Sequence, residues 1–102
     1  MAKTRNSDLF DWDAGNSGKN LRSHAVSDEE AEQVFQNAPT VRLNDPIHSA
    51  EEMRLRILGK TDSGRMMFVS YTMRGTKYRV ISARDMNKKE RNLYEQETEK
   101  AA

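Results

Sequence analysis

The chain predicts an α+β domain: two helices packed on one face of an antiparallel sheet, the other face left open, and a C-terminal helix. Three observations predict it. Ser27-Asp28-Glu29-Glu30 is a capping box that opens an apolar stripe at Ala31, Val34 and Phe35. Three strand-like runs, 53–57, 66–72 and 77–84, follow with turn residues between them. The resulting order of strand, helix, helix, strands and helix suits a single layer of helices on a sheet.

Each element has its own reason. Residues 1–8 are polar and are expected to be flexible, which leaves 9–99 as one domain. Leu9-Phe10-Asp11-Trp12 alternates as a short edge strand does, and Asp13 can cap a helix that firms up from Lys19 to His24. Gly15, Asn16, Ser17 and Gly18 make the start of that helix poor. The capping-box helix ends before Pro39, Thr40 to Leu43 can form a brief strand, and Asn44-Asp45-Pro46 turns the chain into a loop at Ile47–Ala50. Met53, Leu55 and Ile57 alternate with Arg54 and Arg56. Met66 to Thr72 is almost continuously apolar, as a buried central strand is. Arg74-Gly75-Thr76 reverses the chain into the strand Lys77–Arg84. The last helix, 86–99, has only Met86, Leu93 and Tyr94 to anchor it, which predicts loose docking at home and room for another chain.

At 102 residues there is room for one modest core. The absence of cysteine excludes a disulfide framework and thiol chemistry. No apolar run approaches the roughly 18 residues of a membrane span, so a cytoplasmic protein is expected. The net charge of +1 hides a strong asymmetry. Residues 42–91 carry 12 Lys/Arg against 6 Asp/Glu, whereas residues 1–41 carry 4 against 7 and residues 92–102 carry 1 against 3. A basic middle between acidic ends points to one surface that faces a polyanion.

Within that middle, Arg54 and Arg56 share a strand face, and so can Ser70, Thr72 and Arg74. On the third strand strict alternation sets Arg79 opposite Tyr78, Val80, Ser82 and Arg84. Guanidinium groups fixed on strands hold phosphate oxygens through forked hydrogen bonds. The alternative is that Arg74, Arg79 and Arg84 blunt strand edges and pair with Asp85 or Glu90. His48, with Glu51 and Glu52 just behind it, is a candidate proton shuttle. His24 suits the end of its helix, a structural role. Two distant histidines with no aspartate at ligand spacing make a weak case for a metal, and there is no phosphate-binding glycine loop or Gly-x-Ser-x-Gly elbow. Phe10 and Trp12 can stack a base, but filling a small core is the better use of them.

Taken in order, the pieces resemble a family. They are Phe10-Asp11-Trp12-Asp13, Asn20 with His24 and Val26, Ser27-x-x-Glu30-Ala31, Val34-Phe35 and Asp45-x-x-His48. Glu52-x-Arg54 then leads to Gly59, Thr72-x-Arg74, Arg79 through Arg84, and Glu90-Arg91 with Tyr94. This resembles the BrnT-type toxins of bacterial type II toxin–antitoxin systems, small ribonucleases with a RelE-like fold that a DNA-binding BrnA-type antitoxin holds in check. The departures are Ala25, where the family usually has glycine, and the Gly-x-x-Gly of residues 15–18.

The resemblance implies a metal-independent endoribonuclease, without cofactor, that cleaves RNA and inhibits translation. Arg54, Arg74 and Arg84 would hold the phosphate, His48 or Glu52 would move protons, and Arg56, Thr72 and Arg79 would bind RNA. It also implies a complex of two toxins with two antitoxins that touches operator DNA only through the antitoxin. A non-catalytic nucleic-acid-binding or regulatory module is the alternative, told apart by binding without turnover.

Overall fold

The capping box forms as its residue types dictate. Ser27 Oγ accepts the Glu30 N–H at 3.1 Å, and Glu30 Oε1 accepts the Ser27 N–H at 3.0 Å. In the computed structural model, which describes residues 9–44 and 54–101, this box opens the second of three helices. The elements are α1 (Lys19–His24), α2 (Asp28–Gln36), β1 (Val41–Asn44), β2 (Leu55–Lys60), β3 (Met66–Arg74), β4 (Lys77–Asp85) and α3 (Lys88–Ala101). The strands pair antiparallel in chain order, β1-β2-β3-β4. The expected turn at Asp45-Pro46, the loop at Ile47–Ala50, the strand start at Met53 and the leader 1–8 lie outside the described residues.

Helices α1 and α2 lie against one face of the sheet. Val26, Ala31 and Val34 pack there on Ile57, Val69 and Val80, all essentially buried. Gly59 sets how close α2 can come: a Cβ there would stand 3.1 Å from both Cγ1 and the carbonyl oxygen of Val34. Phe10, Phe35, Tyr71 and Tyr78 add an aromatic cluster with centroids 4.6–5.6 Å apart. Phe10 is thus a core residue, and half-buried Trp12 donates its indole N–H to buried Glu32 at 2.6 Å.

The outer edge of β4 is closed by other means than a strand. The expected edge strand at 9–12 reduces to one parallel bridge, in which Tyr78 N–H donates to Leu9 O and Asp11 N–H donates to Tyr78 O. Beyond it two buried asparagine side chains take over. Asn16 Nδ2 donates to Val80 O, and Asn20 Oδ1 accepts the Ala83 N–H. Amide side chains carry both donor and acceptor, so they can satisfy a strand edge that would otherwise stay open. Asp13 caps the turn 13–17 rather than α1, because Gly15 N–H reaches its Oδ1 at 2.8 Å.

The docking of α3 corrects an expectation. The helix is anchored at home, on the face opposite α1 and α2. Tyr94 is only 2% exposed and donates its hydroxyl to Pro39 O at 2.7 Å. Met86 and Tyr94 join Leu58 in a second core, flanked by Val41, Leu43, Phe68 and Leu93. The helix has few apolar residues, but the sheet offers it an apolar floor, and each large side chain buried is worth about 2 kcal/mol. The second face is therefore covered by α3 over β1 and β2, and Thr72 on the same face of β3 is also buried, only 2% exposed.

Arg65, at the foot of β3, ties the helices to the sheet. Its fork meets both oxygens of Asp85 at 2.6 and 3.0 Å, and it also donates to Ala25 O, His24 O and Glu30 Oε2. The two carbonyls belong to the end of α1, where Ala25 is held in the left-handed region at φ 55°. That conformation costs an alanine about 1 kcal/mol that a glycine escapes. Ala25→Gly is therefore expected to raise the melting temperature by about 5 °C, and a thermal melt with no rise would show that the αL strain is absent.

Candidate active site

Cross-strand partners in an antiparallel sheet point to the same side, so the register assigns faces directly. Arg56 pairs with Ser70 and Ser70 with Ser82, while Leu58 pairs with Phe68 and Phe68 with Arg84. Past Ser70 the register shifts: Tyr71 pairs with Val80, and Ile81 is the extra residue of a β-bulge. Thr72 then pairs with Arg79, and Arg74 with Lys77. One face accordingly carries Arg56, Ser70, Thr72, Arg74, Arg79, Ser82 and Arg84. Arg54, directly before β2, alternates onto it as well.

Strict alternation had set Arg79 and Arg84 on opposite faces, and the bulge corrects this. Val80 and Ala83, three residues apart, are both buried in the same core, which only a change of phase permits. The arginines of β2, β3 and β4 thus share the face on which α3 docks.

Two of these arginines are held by carboxylates. Arg79 forks onto Asp13 at 3.0 and 3.1 Å and reaches Asp11 at 3.3 Å. Arg84 lies 4.2 Å above the Phe68 ring and forks onto Glu90 at 2.8 and 2.9 Å. The pairing of Arg84 with Glu90 that the sequence allowed as an alternative is therefore present, whereas Asp85 pairs with Arg65 instead. Glu90 is fixed in turn from α3, since it accepts Asn87 N–H at 2.9 Å and its own N–H donates to Asn87 Oδ1 at 2.8 Å. The reciprocal bonds make a capping box that starts α3 beside Arg84.

Burial alone would raise the Glu90 pKa. Hydrogen bonds from Arg84 and from the Asn87 N–H, with the charges of Arg84 and Arg56, outweigh it and hold the carboxyl below its ordinary range. Asp13 is lowered by its hydrogen bonds from Arg79 and the Gly15 N–H and by the charges of Arg79 and Arg74. Both groups stay ionised at neutral pH and serve as clamps, since a carboxylate of depressed pKa is a weak base.

Between α3 and the sheet lies a cleft of about 220 Å³, where Arg56 and Lys89 stand at the rim above Leu43, Leu58 and Phe68. His24 is exposed at the end of α1, and His48 and Glu52 lie outside the described residues. Among the described residues no three His, Asp or Glu side chains gather as a metal site requires. No described helix is long and apolar enough to cross a membrane.

Residues 12–90 match the family described as the ribonuclease toxin, BrnT, of type II toxin–antitoxin systems. The chain belongs to the BrnT toxin family. None of the curated proteins matches it closely enough to count as a relative. Membership makes this BrnT toxin a ribonuclease with an RNA target and an antitoxin partner. The matched span covers β2, β3 and β4 and closes at Glu90, the residue that holds Arg84.

Asp11, Asp13, Phe68, Asn87 and Lys89 escaped the sequence reading as members of this face. The signal for Asn87 was present, because Asn87-x-x-Glu90 is itself a capping-box pattern. The carboxylate clamps also fix the acid behaviour of this BrnT toxin. Asp13, Asp85 and Glu90 all have folded pKa values below their ordinary ones. Their stabilisation is present above the unfolded pKa values, about 4, and is lost as the pH falls through the lower folded ones. Urea melts should give a stability plateau above about pH 5 and a fall below about pH 4, with a smaller fall in Glu90→Gln. An equal acid slope in that variant would mean that Glu90 is not held below its ordinary range.

Proposed function

We propose that this BrnT toxin is a metal-independent endoribonuclease acting through the arginine face of its sheet. The ribose 2′-hydroxyl attacks the adjacent phosphorus and the 5′-oxygen leaves, giving a 2′,3′-cyclic phosphate and a 5′-hydroxyl. Arg54, Arg74 and Arg84 hold the phosphate and offset the charge that builds on its oxygens. Arg56 and Arg79 bind the flanking backbone, and His48 or Glu52 takes and returns the proton; Thr72, expected from the sequence to bind RNA, is only 2% exposed and too buried to touch it. The observation that carries this reading is the register that puts Arg56, Thr72, Arg74, Arg79 and Arg84 on one face.

The ion pair that edge protection would also use still leaves Arg84 with donors for a phosphate. A guanidinium has five donors, and the hydrogen bonds of Arg84 to Glu90 and to Asp85 O use three of them. The remaining donors are aimed by a side chain that can no longer rotate freely. Preorganised donors of this kind stabilise a transition state without reorganising during the reaction.

The partner follows from the same charge. A cationic face attracts an acidic segment with gains in both affinity and association rate. We place a BrnA-type antitoxin across it, in a complex of two toxins and two antitoxins whose antitoxins alone contact operator DNA, in the cytoplasm. Free toxin would cut RNA and stop translation.

Purified toxin should degrade RNA with a chelator present. Arg84→Ala should lower the rate about a hundredfold, near 3 kcal/mol of barrier. Arg22→Ala, on exposed α1, should leave the rate unchanged. Full activity in Arg84→Ala would remove that residue from the site, and a requirement for added metal would overturn the mechanism.

A further inference from the structure

The cleft beside α3 has a purpose that phosphate binding does not explain. Phosphate contacts need exposed cations, but Leu43, Leu58, Phe68 and Leu93 give this cleft an apolar floor. Its volume of about 220 Å³ is below the roughly 300–1,000 Å³ of drug-sized ligand sites, so it suits a single flat ring system. It opens beside Arg56, which also stands over Phe68 at 5.9 Å, on the arginine face itself. An apolar slot beside fixed cations is what an unstacked base next to a bound phosphate requires.

The polar rim selects among bases. Asn87 ordinarily offers a donor and an acceptor together, the pattern that reads adenine. Here its Oδ1 already accepts the Glu90 N–H at 2.8 Å, and its Nδ2 is the atom with no partner among the described residues. Lys89, two residues on, adds a second donor, and among the described residues neither of these two donors is taken by an acceptor. Both Glu90 oxygens already accept bonds, from Arg84 and from the Asn87 N–H. The two groups at Asn87 and Lys89 that have no partner among the described residues are donors, whereas each Glu90 oxygen is already engaged by Arg84. Guanine, with N7 and O6 side by side, presents two adjacent acceptors, while adenine presents one acceptor and one donor.

We propose, resting on the ribonuclease reading, that the cleft between α3 and the sheet is a base subsite that takes one unstacked guanine of the RNA. Asn87 Nδ2 and Lys89 Nζ read its N7 and O6, and the phosphate beside it lies against Arg56 and Arg84. The toxin therefore selects its cleavage positions partly through α3.

Tetranucleotides methylated at every 2′-oxygen cannot undergo the attack, so they report binding apart from cleavage. Fluorescence anisotropy with guanine, adenine or 7-deazaguanine at each position in turn should show about a tenfold preference for guanine at one position. Adenine and 7-deazaguanine should both lose it. Asn87→Ser with Lys89→Ala keeps an oxygen to cap α3 and should abolish the preference, and so should Leu93→Trp, which fills the cleft. Wild-type toxin with no guanine preference at any position, or variants that keep it, would overturn the subsite. Variants that lose the antitoxin while keeping the base preference would assign the cleft to the protein partner and overturn it too. Preference without cleavage of unmodified RNA would support the subsite and remove only the ribonuclease mechanism.

Discussion

Strand β4 carries one residue more than β3 where the two pair around Ser70 and Tyr71, and that residue, Ile81, reverses the direction of every side chain beyond it. Before the bulge Tyr78 and Val80 point into the core under α2; after it Ala83 does the same, while Ser82 and Arg84 join Arg79 on the other side. A regular strand would have to bury Arg84 or expose Ala83. The bulge is tolerated because the outer edge of β4 is not used for strand pairing there. Asn16 and Asn20 bond Val80 O and Ala83 N–H, on either side of the irregularity, at 3.2 and 3.0 Å. The Gly-x-x-Gly segment that makes a poor helix start is what lets Asn16 sit in a turn and reach that edge.

A face of arginines repels itself, and the protein answers with carboxylates from other elements. Asp11 and Asp13 come from the segment bridged to β4, and Glu90 comes from the first turn of α3. Each half-buried guanidinium is thereby fixed before any ligand arrives, which lowers the ordering cost of binding a phosphate. The same logic operates away from the face at Arg65, where hydrogen bonds and charge from Asp85 and Glu30 raise its already high pKa further. That hub gathers the end of α1, the start of α2 and the end of β4, so the helical layer and the arginine strands are positioned together.

The α+β class, the capping-box helix and the three main strands were legible because each rests on local pattern: a capping box, alternation, turn residues. The docking of α3 was not, since Met86, Leu93 and Tyr94 look sparse until Leu58 and Phe68 supply the other half of the contact. Arg54, Arg56, Thr72 and Arg74 could be gathered from the residues alone by counting in twos. Arg79 and Arg84 could not, because counting in twos fails across a bulge. A trace of it stands in Val80-Ile81, two adjacent apolar residues in a strand that otherwise alternates. The roles of His48 and Glu52 rest on sequence and family, as both lie outside the described residues.

RNA bound to this toxin should lie on the face shared by the arginines of β2, β3 and β4, opposite α1 and α2. The most direct test is an amide-resolved NMR titration of the toxin with an uncleavable 2′-O-methyl RNA. Shifts are expected at Arg56, Ser70, Thr72, Ser82 and Asn87, with the exposed side of α2 around Glu29 and Gln36 unmoved. Shifts centred on α2 and Arg42, with the β4 bulge silent, would contradict it.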